Sequence, residues 1–124
     1  MSADTSPAQA PIEGKTPLVE YLEAGSKPEE DWRIGTEHEK LVFDPDGLAP
    51  VAYDGPKGIG ALLDGLTRFG WTPVLEGGNV IALTMNGQSV TLEPGGQVEL
   101  SGAPLTDLHE TCNEAHRHRA QVKE

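Results

Sequence analysis

Two glutamates, Glu37 and Glu39, lie two residues apart in the segment RIGTEHEKLVFD, which covers residues 33–44. The segment ends in the apolar run LVF, which predicts a β-strand. Side chains alternate between the two faces of a strand, so both carboxylates are expected on one face, about 6–7 Å apart. His38 and Lys40 are then expected on the opposite face. Hard carboxylate oxygens without thiolates suit Mg²⁺ or Mn²⁺.

The same alternation applies to two later β-rich segments, QSVTLE and QVELS, which contribute Glu93 and Glu99. In each segment the glutamate shares a face with small hydroxyl or amide side chains, opposite valine and leucine. If all three segments lie in one sheet, its polar face gathers four predicted metal ligands: Glu37, Glu39, Glu93 and Glu99. Two interpretations remain open. The face is simply solvated, or it binds divalent cations together with the phosphates of ATP.

The elements that position these glutamates follow from turn residues and periodicity. TPLVEYLEAG predicts a short helix with Thr16 as N-cap and Gly25 at its end. GPKGIGALLDGLTRFG predicts an amphipathic helix that ends at Gly70. Three β-rich runs follow, WTPVLEG, NVIALTMNG and QSVTLEPGG, and Asn86-Gly87 predicts a tight hairpin. QVELSG is expected to continue the last run after a kink or bulge at residues 94–96.

This order of elements predicts an α+β fold, an antiparallel sheet with helices packed on one face. A final helix is predicted from Pro104 onward. Its apolar stripe is expected to comprise Leu105, Leu108, Cys112, Ala115 and Val122, leaving His116, Arg117, His118 and Lys123 mostly outward. Because the helical pattern reaches the last residue without a glycine or proline, the chain is expected to be truncated.

Composition narrows the possible partners. The chain has 124 residues, with 9 Lys and Arg against 20 Asp and Glu, a net charge of −11. Such acidity argues against binding nucleic acid or anionic membranes.

One cysteine permits no internal disulfide and fits a reducing compartment. Residues 1–14, rich in Ala, Pro and Ser, predict a disordered arm without an export or organelle signal, so a cytoplasmic location is expected. Residues 15–124 are expected to form part of one domain.

Several motifs together carry a family resemblance: GTEHEK at residues 35–40, GWTPVLEGGN at residues 70–79, and LEPGGQVELSGAPLTDLHETC at residues 92–112. With these motifs the chain resembles glutamate–cysteine ligase of the plant and proteobacterial type, over roughly residues 15–124. The resemblance implies a glutamine-synthetase-like carboxylate–amine ligase fold. It also implies a reaction in which ATP and Mg²⁺ activate the γ-carboxylate of L-glutamate for attack by the amine of L-cysteine, the first step of glutathione synthesis.

The resemblance further implies that Glu37 and Glu39 bind metal, that Glu99 matches a third ligand, and that Glu93 lies in the same site. These glutamates hold cations, and no residue is assigned as a catalytic base. Family members are longer, so the chain is expected to be an N-terminal fragment that is inactive alone. Its oligomeric state is left open.

Alternatives remain at several levels. The chain is also compatible with a non-catalytic remnant or interaction module, or with a related ligase that uses another amine. Asp44, Asp46 and Gly47 weakly resemble a calcium loop but lack its remaining ligands. Cys112 and His116, one helical turn apart, are possible zinc ligands with His109 or His38, and Cys112 is a possible redox partner for another chain segment.

Overall fold

The computed structural model describes residues 11–124, so residues 1–10 of the predicted arm lie outside the described part. The chain divides into two units, residues 1–32 and 33–124. The first unit contains α1 (Thr16–Ala24) and a short 3₁₀ helix (Glu29–Asp31). The N-cap of α1 is Lys15 and not the predicted Thr16, and Pro17 lies at its start. The predicted end at Gly25 is confirmed.

The second unit is built on a five-stranded antiparallel sheet with the strand order β1-β5-β4-β3-β2. The strands are β1 (Glu37–Lys40), β2 (Thr72–Glu76), β3 (Asn79–Met85), β4 (Gln88–Leu92) and β5 (Val98–Ser101). The predicted α+β class is therefore confirmed. The predicted strand over 33–44 is shorter, because regular pairing of β1 ends where Lys40 meets Val98 at the start of β5. Outside β1, Ile34 forms an isolated bridge with Leu105, and Phe43 forms one with Pro50.

Two turns define the register of the central strands. The predicted hairpin at Asn86-Gly87 is confirmed, and both residues have positive φ, 50° and 81°. Such angles are typical of a two-residue turn that matches the strand twist. The expected kink at residues 94–96 is instead a second reversal. Gln97 O accepts a hydrogen bond from Glu93 N, and β5 pairs back on β4. Pro94 lies in the turn, where no ladder hydrogen bond requires its missing N–H.

One sheet face carries the hydrophobic core beneath α2 (Ile59–Leu66) and α3 (Leu108–Lys123). Leu83, Val90 and Leu100 form one cross-strand row on this face, each with less than 1% of its surface exposed. Leu63 of α2 is equally buried, and Trp71 closes one end by donating its indole N–H to Gln121. Helices cover this face, as predicted.

The predicted orientation of α3 is right for His116, Arg117 and Lys123, which are exposed, but wrong for other residues. Leu108 is 72% exposed and Cys112 is exposed, whereas Glu114 and His118 are 6% and 3% exposed. The apolar stripe read from the sequence therefore includes outward residues, and a polar side of the helix lies inward. Val122 does pack against the core, as expected.

Two glycines, Gly58 at the N-cap of α2 and Gly65 within the helix, provide a test of the packing. A Cβ at Gly58 would meet the backbone oxygens of Tyr53 and Asp54, whereas nothing lies within 4 Å of a Cβ at Gly65. Gly58→Ala is expected to lower the free energy of unfolding by about 1–3 kcal/mol, because backbone must move. Gly65→Ala is expected to raise it by about 0.5–1 kcal/mol. Urea denaturation measures the free energy of unfolding of both variants. A change in the same direction for both would contradict the packing described.

Candidate functional site

The open face of the sheet carries three of the predicted glutamates, Glu37, Glu39 and Glu99. Glu39 on β1 lies directly opposite Glu99 on β5, and Thr91 on β4 lies opposite Glu99 on its other side. Directly opposed residues of an antiparallel pair project to the same face, with Cβ atoms about 4.5–5.5 Å apart. Glu37 belongs to the next row, opposite Ser101. The face predicted from alternation thus exists.

Hydroxyl groups orient two of these carboxylates. Ser101 Oγ donates to Glu99 Oε1 over 3.0 Å, and Thr91 Oγ1 donates to Glu93 Oε1 over 2.9 Å. Each pair lies two residues apart, the separation at which side chains share one face. Glu93 follows the last residue of β4 and is half-buried. In both pairs Oε2 takes no part in the hydrogen bond, so it remains available to a ligand.

The register concentrates negative charge on this face, with Glu39 directly opposite Glu99. Lys40 and His38 alternate with Glu37 and Glu39 and project from the other face of β1. Like charges directly opposite each other destabilise a sheet. A bound cation would relieve the repulsion between Glu39 and Glu99.

The donor set suits magnesium, although its side chains are not gathered as a complete site. In the described part of the chain no three His, Cys, Asp or Glu side chains come close enough to hold one ion. Mg²⁺ typically takes only one or two carboxylates and fills its shell with water and substrate phosphates. Glu39 and Glu99 meet that requirement as a pair, so the four-glutamate metal site stays a prediction.

The alternative metal sites gain no support. Asp44 Oδ1 accepts a hydrogen bond from Asp46 N, which makes this segment a simple turn. Cys112 Sγ and His116 Nδ1 are 3.5 Å apart. Neither pair acquires a third Asp, Glu, His or Cys ligand among residues 11–124. The weak calcium and zinc alternatives therefore gain no three-ligand site among the described residues.

Sequence reasoning did not identify the row of hydroxyl groups that extends from Glu37 across the same face. The register aligns Ser101, Ser89, Thr84 and Thr72 in turn across four strands. Beside the last three lies an open cavity of about 530 Å³, whose lining also includes Asn86 and Gln88. Its lining side chains offer neutral hydrogen-bonding groups. Only the strand order reveals this row, since its members are scattered through the sequence.

Behind β1, the helix-covered face becomes polar. His38 lies in the row of Leu100 and Lys40 in the row of Val98, and His118 of α3 lines a cavity with both. Burial lowers the pKa of Lys40. Burial, and then the nearby Lys40 and His38, lower the pKa of His118 to about 4. This cluster was missed because His118 was expected to face outward.

The start of α3 is fixed by side-chain hydrogen bonds, and this places Glu114 and His118. Asp107 accepts from the backbone N–H groups of His109 and Glu110, as an N-cap does. Glu110 in turn accepts from the backbone N–H and the hydroxyl of Thr106. These two bonds lower the pKa of Glu110. One turn later, Glu114 Oε2 accepts from Ala103 N over 2.9 Å.

Comparison with known proteins assigns the chain to a class of ligases. Residues 33–124 match the model of the glutamate-cysteine ligase family 2. The chain belongs to this family. It is 54% identical over 110 residues to glutamate–cysteine ligase A, chloroplastic, of Oryza sativa subsp. japonica. These 110 residues cover 88% of this chain and 22% of the relative. It is 50% identical over 107 residues to the chloroplastic ligase of Arabidopsis thaliana, 86% of this chain and 20% of that relative.

The chain therefore spans about a fifth of the length of the curated relatives it matches. These relatives also correct the predicted location. The sequence suggested a cytoplasmic protein, but the names of the rice, Medicago, tobacco and Arabidopsis ligases all place them in the chloroplast. The cytoplasmic prediction, which rested on finding no targeting signal in residues 1–14, is therefore wrong. Among the described residues no helix is both long and apolar enough to cross a bilayer.

Proposed function

We propose that this chain forms part of an ATP-dependent carboxylate–amine ligase that joins L-glutamate to L-cysteine, the first step of glutathione biosynthesis. Family membership supports the reaction class. The observation that carries the assignment to this surface is the register that sets Glu39 opposite Glu99 on the open face of the sheet. Glu37 and Glu93 flank this pair and complete the proposed acidic site.

In this proposal the chain's own residues bind the metal ion and hold it in position. Glu39 and Glu99 would hold Mg²⁺ or Mn²⁺, with Ser101 fixing the orientation of Glu99 through its hydroxyl. When bound, the ion supplies neutralisation of phosphate charge and alignment of donor and acceptor groups. A sheet is a suitable platform, because carboxylates on paired strands keep their separation more strictly than those on loops.

A chimera tests this function directly. The present segment would replace the aligned 110 residues of the rice ligase, to which it is 54% identical. The chimera is expected to release phosphate from ATP only when L-glutamate, an amine and Mg²⁺ are all present. A coupled phosphate-release assay against a panel of amino acids identifies the acceptor, with L-cysteine expected to give the highest rate.

The same chimera carrying Glu76→Gln serves as the control, since Glu76 lies on β2 at the far edge of the sheet from β1. Folded chimera without glutamate-dependent phosphate release would contradict the proposed function. A clear preference for another amine would change the acceptor and retain the ligase chemistry.

A further inference from the structure

A cavity of about 250 Å³ lies on the side of the sheet away from the glutamates, between β1 and α3. Its lining is formed by His38 and Lys40 of β1 and by Ala115, His116, His118 and Arg119 of α3. Every polar side chain in this set is a lysine, an arginine or a histidine. From this cavity we infer that the chain binds a small oxyanion of the phosphate class here, at a site separate from the acidic face.

Donor capacity on Lys40, and a buried histidine without partners beside the cavity, support an anionic ligand. His118 is only 3% exposed, yet neither of its ring nitrogens has a hydrogen-bond partner. Buried polar groups in folded proteins almost always have partners. In the described part of the chain, Lys40 Nζ donates one hydrogen bond, to the carbonyl oxygen of His38 over 2.9 Å. An ammonium has three donors, so it retains capacity for an acceptor-only ligand such as phosphate.

The nearest buried carboxylate is turned away from this cavity. Glu114 precedes His118 by one helical turn, but its Oε2 accepts from Ala103 N, and its Oε1 lies against Gly102 so closely that a Cβ there would collide with it. Glu114 is also absent from the cavity lining. The positive charge of Lys40 and Arg119 at this place is therefore not neutralised by it.

The titratable groups that act on His118 are Lys40 and His38 of β1, and His116 and Arg119 of α3 line the same cavity. Burial, followed by Lys40 and His38, lowers the pKa of His118 to about 4. Burial disfavours the charged imidazole, and the nearby ammonium of Lys40 adds to that effect. An oxyanion in the cavity would supply a counter-ion for Lys40 and Arg119 and accept hydrogen bonds from both.

The size of the cavity indicates a small ion. Pockets for drug-sized ligands occupy roughly 300–1,000 Å³, and this cavity is smaller. The site therefore fits inorganic phosphate or the terminal phosphoryl group of a larger molecule whose remainder lies outside.

The test follows the histidine ring signals of the 124-residue chain by NMR at pH 7 during titration with sodium phosphate, with sodium chloride at matched ionic strength as reference. We expect a saturable shift of the His118 ring with half-saturation at or below about 1 mM, and no saturation with chloride. A parallel titration with AMP distinguishes the sources. Tighter binding of AMP assigns a phosphoryl group of a larger ligand, and equal or weaker binding assigns the free ion.

Lys40→Met is expected to weaken phosphate binding at least about tenfold, because a charge-assisted donor is lost. Lys57→Met, at an exposed lysine before α2, is the matched control and is expected to leave the affinity unchanged. His118→Gln, read through the Ala115 and Arg119 amides, provides a second variant with an expected loss in affinity. Absence of saturation in the wild-type chain, or unaltered affinity in folded Lys40→Met, would overturn the inference.

Discussion

Glu39→Gln or Glu99→Gln in the ligase chimera is expected to raise the Mg²⁺ concentration needed for half-maximal activity by at least about tenfold and to lower turnover by about 100-fold or more. The two carboxylates oppose each other across β1 and β5, so each loss removes one half of the proposed cation pair. Gln keeps the size and polarity of Glu but removes the charge. The measurement is the rate of phosphate release at several Mg²⁺ concentrations.

Glu76→Gln again supplies the control, as another strand glutamate at the opposite edge of the sheet. Its magnesium dependence is expected to match that of the unaltered chimera. Glu37→Gln is expected to have an intermediate effect, because Glu37 lies opposite Ser101 and not opposite another carboxylate. Unchanged magnesium dependence in both Glu39→Gln and Glu99→Gln would remove these residues from the site.

Acid is expected to destabilise the chain through His118. The folded protein lowers the pKa of this imidazole to about 4, whereas an unfolded histidine titrates near 6.5. The unfolded chain therefore binds a proton first as pH falls. The stability that the neutral imidazole of His118 contributes is fully present above pH 6.5 and is lost as pH decreases toward 4. A pKa shift of this size corresponds to about 3 kcal/mol.

The effect is measured by urea denaturation between pH 7 and pH 4 in phosphate-free buffer. Carboxylates also titrate in this range, so the difference between variants is the relevant quantity. His118→Gln is expected to lose about 3 kcal/mol less than wild type across the range. His109→Gln, at an exposed histidine of the same helix, is expected to follow wild type. Parallel profiles for wild type and His118→Gln would contradict the buried neutral imidazole.

Strand alternation was sufficient to predict the acidic face. Glu37, Glu39, Glu93 and Glu99 share a face because period-two geometry holds in any strand, whatever its neighbours. The Asn86-Gly87 turn was equally predictable, since its positive φ values select these residues. The order of the strands could not be predicted from the sequence. The direct opposition of Glu39 to Glu99 depends on that order, so it could not be predicted either.

The orientation of α3 could not be read from hydrophobic periodicity. Val122 packs against the core, but Leu108 and Cys112 face outward while Glu114 and His118 are buried. A polar side chain becomes an inward residue when its partner comes from a distant segment, as Ala103 N does for Glu114. The reversal at Pro94-Gly95-Gly96 was missed for a related reason. A turn and a bulge use the same residue types, and only pairing with β4 distinguishes them.

Paramagnetic broadening by Mn²⁺ tests most directly whether the open sheet face holds a divalent cation. Substoichiometric Mn²⁺ added to the ¹⁵N-labelled 124-residue chain is expected to broaden the amide signals of Glu39, Glu99 and Ser101 first. Excess Mg²⁺ should restore them, and the Glu39→Gln/Glu99→Gln double variant should show no selective broadening. Broadening that begins at other carboxylates, such as Asp44 and Asp46, while the signals of β1 and β5 stay sharp would contradict a cation site on this face.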